Sequence, residues 1–450
     1  MTEGRGYFSW PGIVRLGLVQ MALGAIIILT TSTLNRVMVV ELALPASIPG
    51  LLVGWHYAVQ ITRPRWGFGA DAGGQRIIWI IGGLIVLALG AIGASASVLL
   101  AEKSLVAGLS ATFLAFTFIG GGVGAAGTNL LALLAIKTKP ENKAAAAAIV
   151  WIMMILGFVL TAGIAGQFLD PFTMGRLVVV TAIVGAIAVA VASLALLGMD
   201  TSRPDGENAS ATPAQTGTAK AFFDALGDVW SDRQTRTFTA FVFVSMLAYS
   251  AQDLILEPFA GLIHGYTPGE STKLAATQNM GVLLGMIATA VIGTVVGRSR
   301  AKFMRQWTLV GCVASAAALG LLAFGAITGG GVPLKPSVFG LGLSNGMFAV
   351  AAIGSMMALA SAGGDQREGT RMGVWGAAQA VAFGIGGLVG AAAVDLVRLL
   401  MNDVSFSYAL VFALEGVTFL IAAWLAIRVG PTSADDQAIP MMPAESLPAE

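Results

Sequence analysis

Polar residues are rare along this chain and collect in short intervals between long apolar runs. Runs that could cross a bilayer, which takes about 20 apolar residues of helix, fall at residues 13–33, 48–62, 77–100, 105–136, 144–168 and 175–199. The second is short, and Pro45 just ahead of it marks where its helix should begin. A polar interval spans Asp200 to Arg236, and six more runs follow at 238–261, 274–297, 307–327, 333–360, 372–394 and 406–427. The pattern predicts an all-α polytopic membrane protein with twelve transmembrane helices: a six-helix bundle over 1–199, a cytoplasmic linker over 200–236, a second six-helix bundle over 237–429 and a disordered cytoplasmic tail over 430–450. Within the linker, Phe222, Phe223, Leu226, Val229 and Trp230 recur at helical spacing with Asp224, Asp228 and Asp232 between them, which predicts a short amphipathic helix at the membrane surface.

Composition agrees with the pattern. Hydrophobic residues make up 56% of the chain and charged residues 11%, against roughly a quarter charged in a soluble protein. A net charge of +1 gives no reason to expect a nucleic-acid partner. The 58 glycines suit helices that pack closely through small residues. The single cysteine, Cys312, excludes a disulfide framework and a cysteine-based metal site. The first apolar run lacks an A-x-A cleavage site and reads as a retained span. Of the 25 Lys and Arg, only Arg36, Lys103, Arg176, Lys273, Lys335 and Arg398 fall in alternate loops on one side. By the positive-inside rule both termini are then cytoplasmic.

The most expensive stretch is AQDLILEP, residues 251–258, inside the seventh run. Asp253 and Glu257 are four apart and so share a helix face. An acid at mid-bilayer costs roughly 2.5–3.5 kcal/mol on insertion scales, so this face should look into protein or a wet cavity. The first run ends in a counterpart, TLNRVMVVELALP, with Asn35, Arg36 and Glu41 against Gln252, Asp253 and Glu257. Spans one and seven are equivalent in a two-fold arrangement of repeats. These six residues are the expected polar seam between the bundles, with Arg36 paired to Asp253 or Glu257 across it.

The loop after the second span, GFGADAGGQR, resembles the cytoplasmic signature of the major facilitator superfamily, with Gly67, Ala70, Asp71, Gly74 and Arg76 at its defining places. It departs from that pattern at Gly69 and Ala72. The resemblance implies a conformational latch formed by Gly67, Asp71, Gly74 and Arg76. TLNRVMVVEL, AQDLILEPFAG, MGVWGAAQAVAFGIGG and Glu415 in VFALEGVTFL resemble, more narrowly, the PucC/LhaA or bacteriochlorophyll delivery family. Its compact loop between spans two and three points to a third branch. The resemblance implies a photosynthetic-membrane assembly factor that binds or delivers bacteriochlorophyll or a precursor, located in a bacterial inner (intracytoplasmic) membrane. Implied partners are the lipid bilayer, bacteriochlorophyll synthase and light-harvesting or reaction-centre apoproteins. Two other classes stay open: a proton-coupled secondary transporter of a small solute, and a non-transporting membrane scaffold.

Candidate chemistry is sparse. His56, mid-way along span two, is either an axial ligand for a chlorin magnesium or a hydrogen-bonded packing residue; Tyr57, Gln60 and Gln379 are the other candidate pigment-binding groups. Glu415 is either a protonated, helix-bonding acid or a proton-coupling site. Asn129, Gln278, Asn279 and Asn345 are intramembrane amides of the kind that tie helices together. Asp170 and Asp395 read as ordinary span ends. The run Gly120–Gly122 lies inside an apolar helix and is a close-packing feature. There is no nucleophile–base grouping, no nucleotide loop and no metal-ligand cluster, so neither an enzyme nor a protein-bound metal is expected.

Overall fold

The computed structural model describes residues 7–63, 66, 76–139, 142–199, 233–295, 300–329, 331–361 and 368–428. The expected latch residues Gly67, Asp71 and Gly74, the linker over 200–232 and the tail over 430–450 lie outside them. The described residues form long helices and no strand. In order they are α1 (Trp10–Glu41), α2 (Ser47–Val59, continued by a 3₁₀ turn Gln60–Thr62), α3 (Arg76–Lys103), α4 (Leu105–Lys137), α5 (Lys143–Phe168), α6 (Met174–Leu196), α7 (Arg233–His264), α8 (Pro268–Val295), α9 (Arg300–Ile327), α10 (Leu334–Ser361), α11 (Glu368–Met401) and α12 (Val404–Arg428). Among the described residues ten helices are long and apolar enough to cross a membrane.

Local chemistry sets the helix ends. Pro11 sits in the first turn of α1, where its missing N–H has no partner to lose. Ser104 and Thr173 cap α4 and α6 by accepting from Ala107 N (3.5 Å) and Arg176 N (3.0 Å). Thr267 and Glu270 bond each other's backbone N–H groups in a capping box at the start of α8 (2.9 and 3.1 Å). Arg15 donates to the carbonyls of Ala195 (2.7 Å) and Leu197 at the end of α6, and Arg305 donates to Ile427 O (2.7 Å) at the end of α12. Phe8 N bonds Lys137 O at 2.7 Å, which places the start of α1 and the ends of α4 and α6 together. We call this the terminal end, and the other the far end.

Two hydrophobic cores divide the chain. Leu16, Leu23, Leu84, Leu87, Phe116 and Leu130 belong to one built from α1–α6. Phe241, Phe259, Phe348, Phe412 and Phe419 belong to one built from α7–α12. Rings hold the second: Phe259 meets Phe412 edge-on at 5.0 Å, and Phe348 meets Phe419 at 6.0 Å. The pairings repeat between the cores. Helix α1 packs on α5 and α6 as α7 packs on α11 and α12; α3 packs on α4 and α6 as α9 packs on α10 and α12; α2 on α4 matches α8 on α10. Among the described residues the bodies are joined by α1 on α7 and α8, and by the equivalent pairs α2 on α11 and α5 on α8.

Close approach is enforced where backbone meets backbone. A Cβ on Gly122 would strike the Gly83 carbonyl of α3, and one on Gly120 the His56 carbonyl of α2. In α10, a Cβ on Gly342 would overlap the Gln278 carbonyl of α8, whereas Gly340 has nothing within 4 Å. Backbone cannot swing aside as a side chain can, so Gly342→Val should destabilise the protein by about 3 kcal/mol. Gly340→Ala should not, because the same helix has open space there. Melting both variants in detergent against the parent checks this; equal melting temperatures would count against the close approach.

Candidate functional site at the contact between the bodies

Helix α1 does not reach the contact with uniform winding. Its last third carries two π-helical turns, Leu29–Thr33 and Val37–Glu41, around a short α segment, Leu34–Arg36. The first contains Thr30 and Thr31, whose hydroxyls both bond back to the Ile27 carbonyl (2.8 and 3.0 Å) and compete with the backbone ladder. Such bulges concentrate at functional sites. Here the result is a broad face, with Ser32, Thr33, Asn35 and Arg36 all turned to the second body.

Each of the four finds a partner there. Ser32 donates to the Glu257 carboxylate of α7. Thr33 and Thr272 of α8 share a hydroxyl bond of 3.0 Å. Asn35 Nδ2 donates to Leu254 O at 2.6 Å. Arg36, 2% exposed, donates one arm to Tyr266 O at 2.6 Å and the other to Glu41. Gly261 makes the room, since a Cβ there would stand 3.2 Å from Arg36 Nε and Nη2.

The expected ion pair between Arg36 and Asp253 or Glu257 is therefore corrected. The guanidinium pairs five residues along its own helix, a spacing that the π turn Val37–Glu41 brings onto one side. Arg36 still crosses the seam, through a carbonyl and not a carboxylate. Gln252 is 0% exposed, and among the described residues neither of its amide atoms is hydrogen-bonded.

The Asn35 bond has a cause in the sequence. Pro258 lies inside α7. Having no N–H, it leaves the carbonyl four residues back, that of Leu254, without a helical donor. Asn35 supplies that donor from the other body.

Two further carboxylates pin the far end, and both come from residues read as ordinary span ends. Asp170, just beyond α5, accepts the Thr267 hydroxyl at 3.0 Å and Gly269 N at 3.3 Å at the start of α8. Asp395 of α11 accepts Ala46 N at 2.9 Å and Ser47 N at 2.7 Å at the start of α2. Since α5 and α8 match α11 and α2 under the repeat, these are two copies of one device: a carboxylate from one body caps a helix of the other, at the positive end of its dipole. The clue in sequence is Ala46, an N-cap residue with no capping group of its own.

On the terminal side of the seam, aromatic rings replace hydrogen bonds. Phe383 of α11 stands between Tyr57 of α2 (6.2 Å) and Tyr249 of α7 (5.8 Å). Close packing brings α11 there: a Cβ on Gly54 would meet Gly384 O at 3.1 Å, and one on Gly390 would meet Ala251 Cβ at 3.0 Å. Asp253 lies one turn from Tyr249 and one turn from Glu257, on the strip of α7 that faces α11 and α1. It is exposed while its neighbours Gln252 and Leu254 are buried. Tyr57, Tyr249 and Glu415 all lie within its electrostatic reach. This acid is exposed on α7 between Tyr249, which meets Phe383 of α11, and Glu257, which meets Ser32 of α1.

His56 is 2% exposed, and its ring hydrogen bonds run to Val53 and Gln60 of its own helix. Arg63, which can only donate, bonds Gln60 Oε1. That turns the Gln60 amide nitrogen onto His56 Nε2 at 2.9 Å, and leaves His56 Nδ1–H for Val53 O at 3.3 Å. Both ring nitrogens are engaged, as the packing alternative requires, and Gln60 is held with His56. Gln379, half-buried, reaches Met246 Sδ at 3.9 Å. Glu415 is 5% exposed, and both its oxygens lack a hydrogen bond. Asn345 accepts from Ser315 at 2.8 Å, joining α10 to α9. Arg76, the described latch residue, begins α3. Among the described residues no group of three or more His, Cys, Asp or Glu is placed to hold a metal ion.

Twelve helices in two matched sets around a polar interior contact define a membrane protein of the major facilitator fold. Solved transporters share it. A bacterial homologue of the human lysosomal transporter Spinster, inward-facing and unoccupied, superposes with a TM-score of 0.67 at 16% identity over 95% of this chain and 98% of that one. A proton-dependent oligopeptide transporter gives 0.68 at 15% identity over 94% and 99%. At such identities the likeness is one of fold alone. The PUCC protein family matches residues 33–433, and the chain belongs to it. It is 48% identical over 422 residues, 94% of this chain and 96% of the relative, to the Rhodobacter capsulatus protein named bacteriochlorophyll synthase 44.5 kDa chain. To the protein named PucC of Cereibacter sphaeroides it is 29% identical over 436 residues, 91% and 90% of the two chains. The gap between those identities agrees with a branch apart from PucC.

Proposed function

We propose that this chain is a photosynthetic-membrane assembly factor that binds bacteriochlorophyll or a precursor and passes it on during biogenesis of pigment–protein complexes. It acts without enzymatic chemistry of its own. The observation that carries this reading is the aromatic cluster of Tyr57, Phe383 and Tyr249, drawn from both bodies, with the exposed Asp253 one turn along α7. A planar, apolar cargo with one polar centre suits such a cluster better than a sugar or an ion does. Membership of the PUCC family supports it, as does the name of the 48% identical relative. With the termini cytoplasmic, the pinned far end faces away from the cytoplasm, and cargo enters and leaves on the cytoplasmic side of a bacterial inner membrane. Bacteriochlorophyll synthase and light-harvesting or reaction-centre apoproteins are the partners this reading requires.

Gentle purification of the full chain from a pigment-making host should yield chlorin absorbance near one equivalent per chain. A colourless, folded protein would defeat the carrier role.

A second reading, a proton-coupled transporter of a small solute, is favoured by one observation, the buried and unbonded carboxyl of Glu415. It requires gradient-driven uptake in proteoliposomes that Glu415→Gln abolishes.

A further inference from the structure

We propose that Asp253 is the axial ligand of the cargo's magnesium, holding a chlorin by one carboxylate oxygen against the rings of Tyr57, Phe383 and Tyr249. The proposal rests on the pigment reading above. A magnesium at the centre of a tetrapyrrole already has four nitrogen ligands and takes a fifth along its axis. One protein group is therefore enough, and the lack of any cluster of three or more ligating side chains among the described residues is no obstacle. Magnesium is a hard cation that prefers oxygen donors.

Glu102, Glu270, Glu368 and Asp403 lie at helix ends. Glu41 is paired with Arg36, and Glu257 accepts from Ser32. Asp170 and Asp395 cap helices at the far end. Glu415 is buried at 5% exposure. His56 is bonded at both nitrogens. His264 packs edge-on against Phe259 at the far-end terminus of α7. Asp253 is different: its side chain is exposed on the interior strip of α7, and among the described residues it makes no hydrogen bond or ion pair.

A carboxylate without a partner inside a membrane protein is costly. A metal cation with a vacant axial position meets that need directly. The rings beside it supply what the rest of such a ligand requires. Phe383 lies 6.2 Å from Tyr57 and 5.8 Å from Tyr249, so aromatic surface from α2, α11 and α7 is available to a flat macrocycle. Because α2 belongs to one body and α7 and α11 to the other, any rocking of the bodies parts these rings and weakens the hold on the ring while the metal bond stays on α7. That gives a route for release.

The test uses the purified full chain in detergent, titrated with magnesium bacteriochlorophyllide and with its metal-free form, bacteriopheophorbide, read by absorbance and fluorescence quenching. Wild type should bind the magnesium pigment at least about tenfold more tightly than the metal-free one. Asp253→Asn should erase that preference by weakening the magnesium pigment alone, and Asp253→His, which offers a nitrogen ligand, should restore it. Equal affinity of the wild type for the two pigments overturns the ligand assignment while the pigment reading stands. Loss of the preference in His56→Gln and not in Asp253→Asn transfers the ligand to the imidazole and overturns it as well. Failure to bind either pigment removes the pigment reading and this proposal together. The wild-type comparison needs no variant, so a substitution that spoils folding leaves the test intact.

Discussion

Replacing Asp170 and Asp395 together by Ala opens the far end. Each carboxylate crosses between the bodies to bond a helix start, at 3.0 and 3.3 Å for Asp170 and at 2.9 and 2.7 Å for Asp395. Losing a helix N-cap costs about 1 kcal/mol, in a range of 0.5–2. The two sites are at separate helix pairs, so their effects should add. A combined loss of about 2 kcal/mol multiplies the ratio of far-end-open to far-end-closed protein by roughly 30. The singles should not be equal. Helix α8 keeps its own capping box, Thr267 with Glu270, when Asp170 is lost. Helix α2 begins at Ala46, which has no capping side chain, so Asp395→Ala should account for most of the shift. Spin labels at Gly175 and Lys335, exposed on the two bodies near the far end, report the distance between them. A lengthened distance population in the double variant is the expected result. A distribution unchanged from the parent would reduce the two carboxylates to local helix caps with no part in holding the bodies together.

The repeat, the spans and the polar stretches were legible in the sequence because each depends on spacing along one helix. Apolar runs located the helices to within a few residues: the run at 105–136 corresponds to Leu105–Lys137, and the run at 77–100 to Arg76–Lys103. Gly120 and Gly122 were readable as close-packing positions, and they meet α2 and α3. What the sequence concealed is which group meets which across the seam. Arg36 turned to Glu41 because α1 winds wider there than an α-helix, and no composition or period announces a π turn. Asp170 and Asp395 looked like ordinary interfacial acids; their role appears only when the two-fold arrangement brings foreign helix starts beside them. His56 stood open between ligand and packing residue because a sequence does not show that Gln60, one turn on, is itself oriented by Arg63. Asp253 and Glu257 share a strip of α7, yet one is exposed and the other is sealed against Ser32. That difference is set by α1 and not by α7.

Pro258 was legible and its consequence was not, and this leads to the second large effect. Asn35→Leu should destabilise the protein by about 2 kcal/mol, because it strands the Leu254 carbonyl in the interior without a donor, and an unsatisfied buried group of this kind costs about 1–3 kcal/mol. The amide has no second duty that would blur the result, since its Oδ1 is unbonded. Pro258→Ala returns an N–H four residues beyond Leu254 and lets α7 satisfy that carbonyl within the helix. In the wild-type background this donor competes with Asn35 for a carbonyl already bonded at 2.6 Å, so it should gain little. Combined with Asn35→Leu it should recover most of the lost stability, giving a coupling of about 1–2 kcal/mol between positions on different bodies. Melting the four proteins of this cycle in detergent reads the coupling, at roughly 2–4 °C per kcal/mol. Additive losses would mean that Asn35 holds the seam by packing alone. Rescue would mean that a proline in one body created a vacancy that a side chain of the other fills, tying the fold of α7 to the closure of the far end.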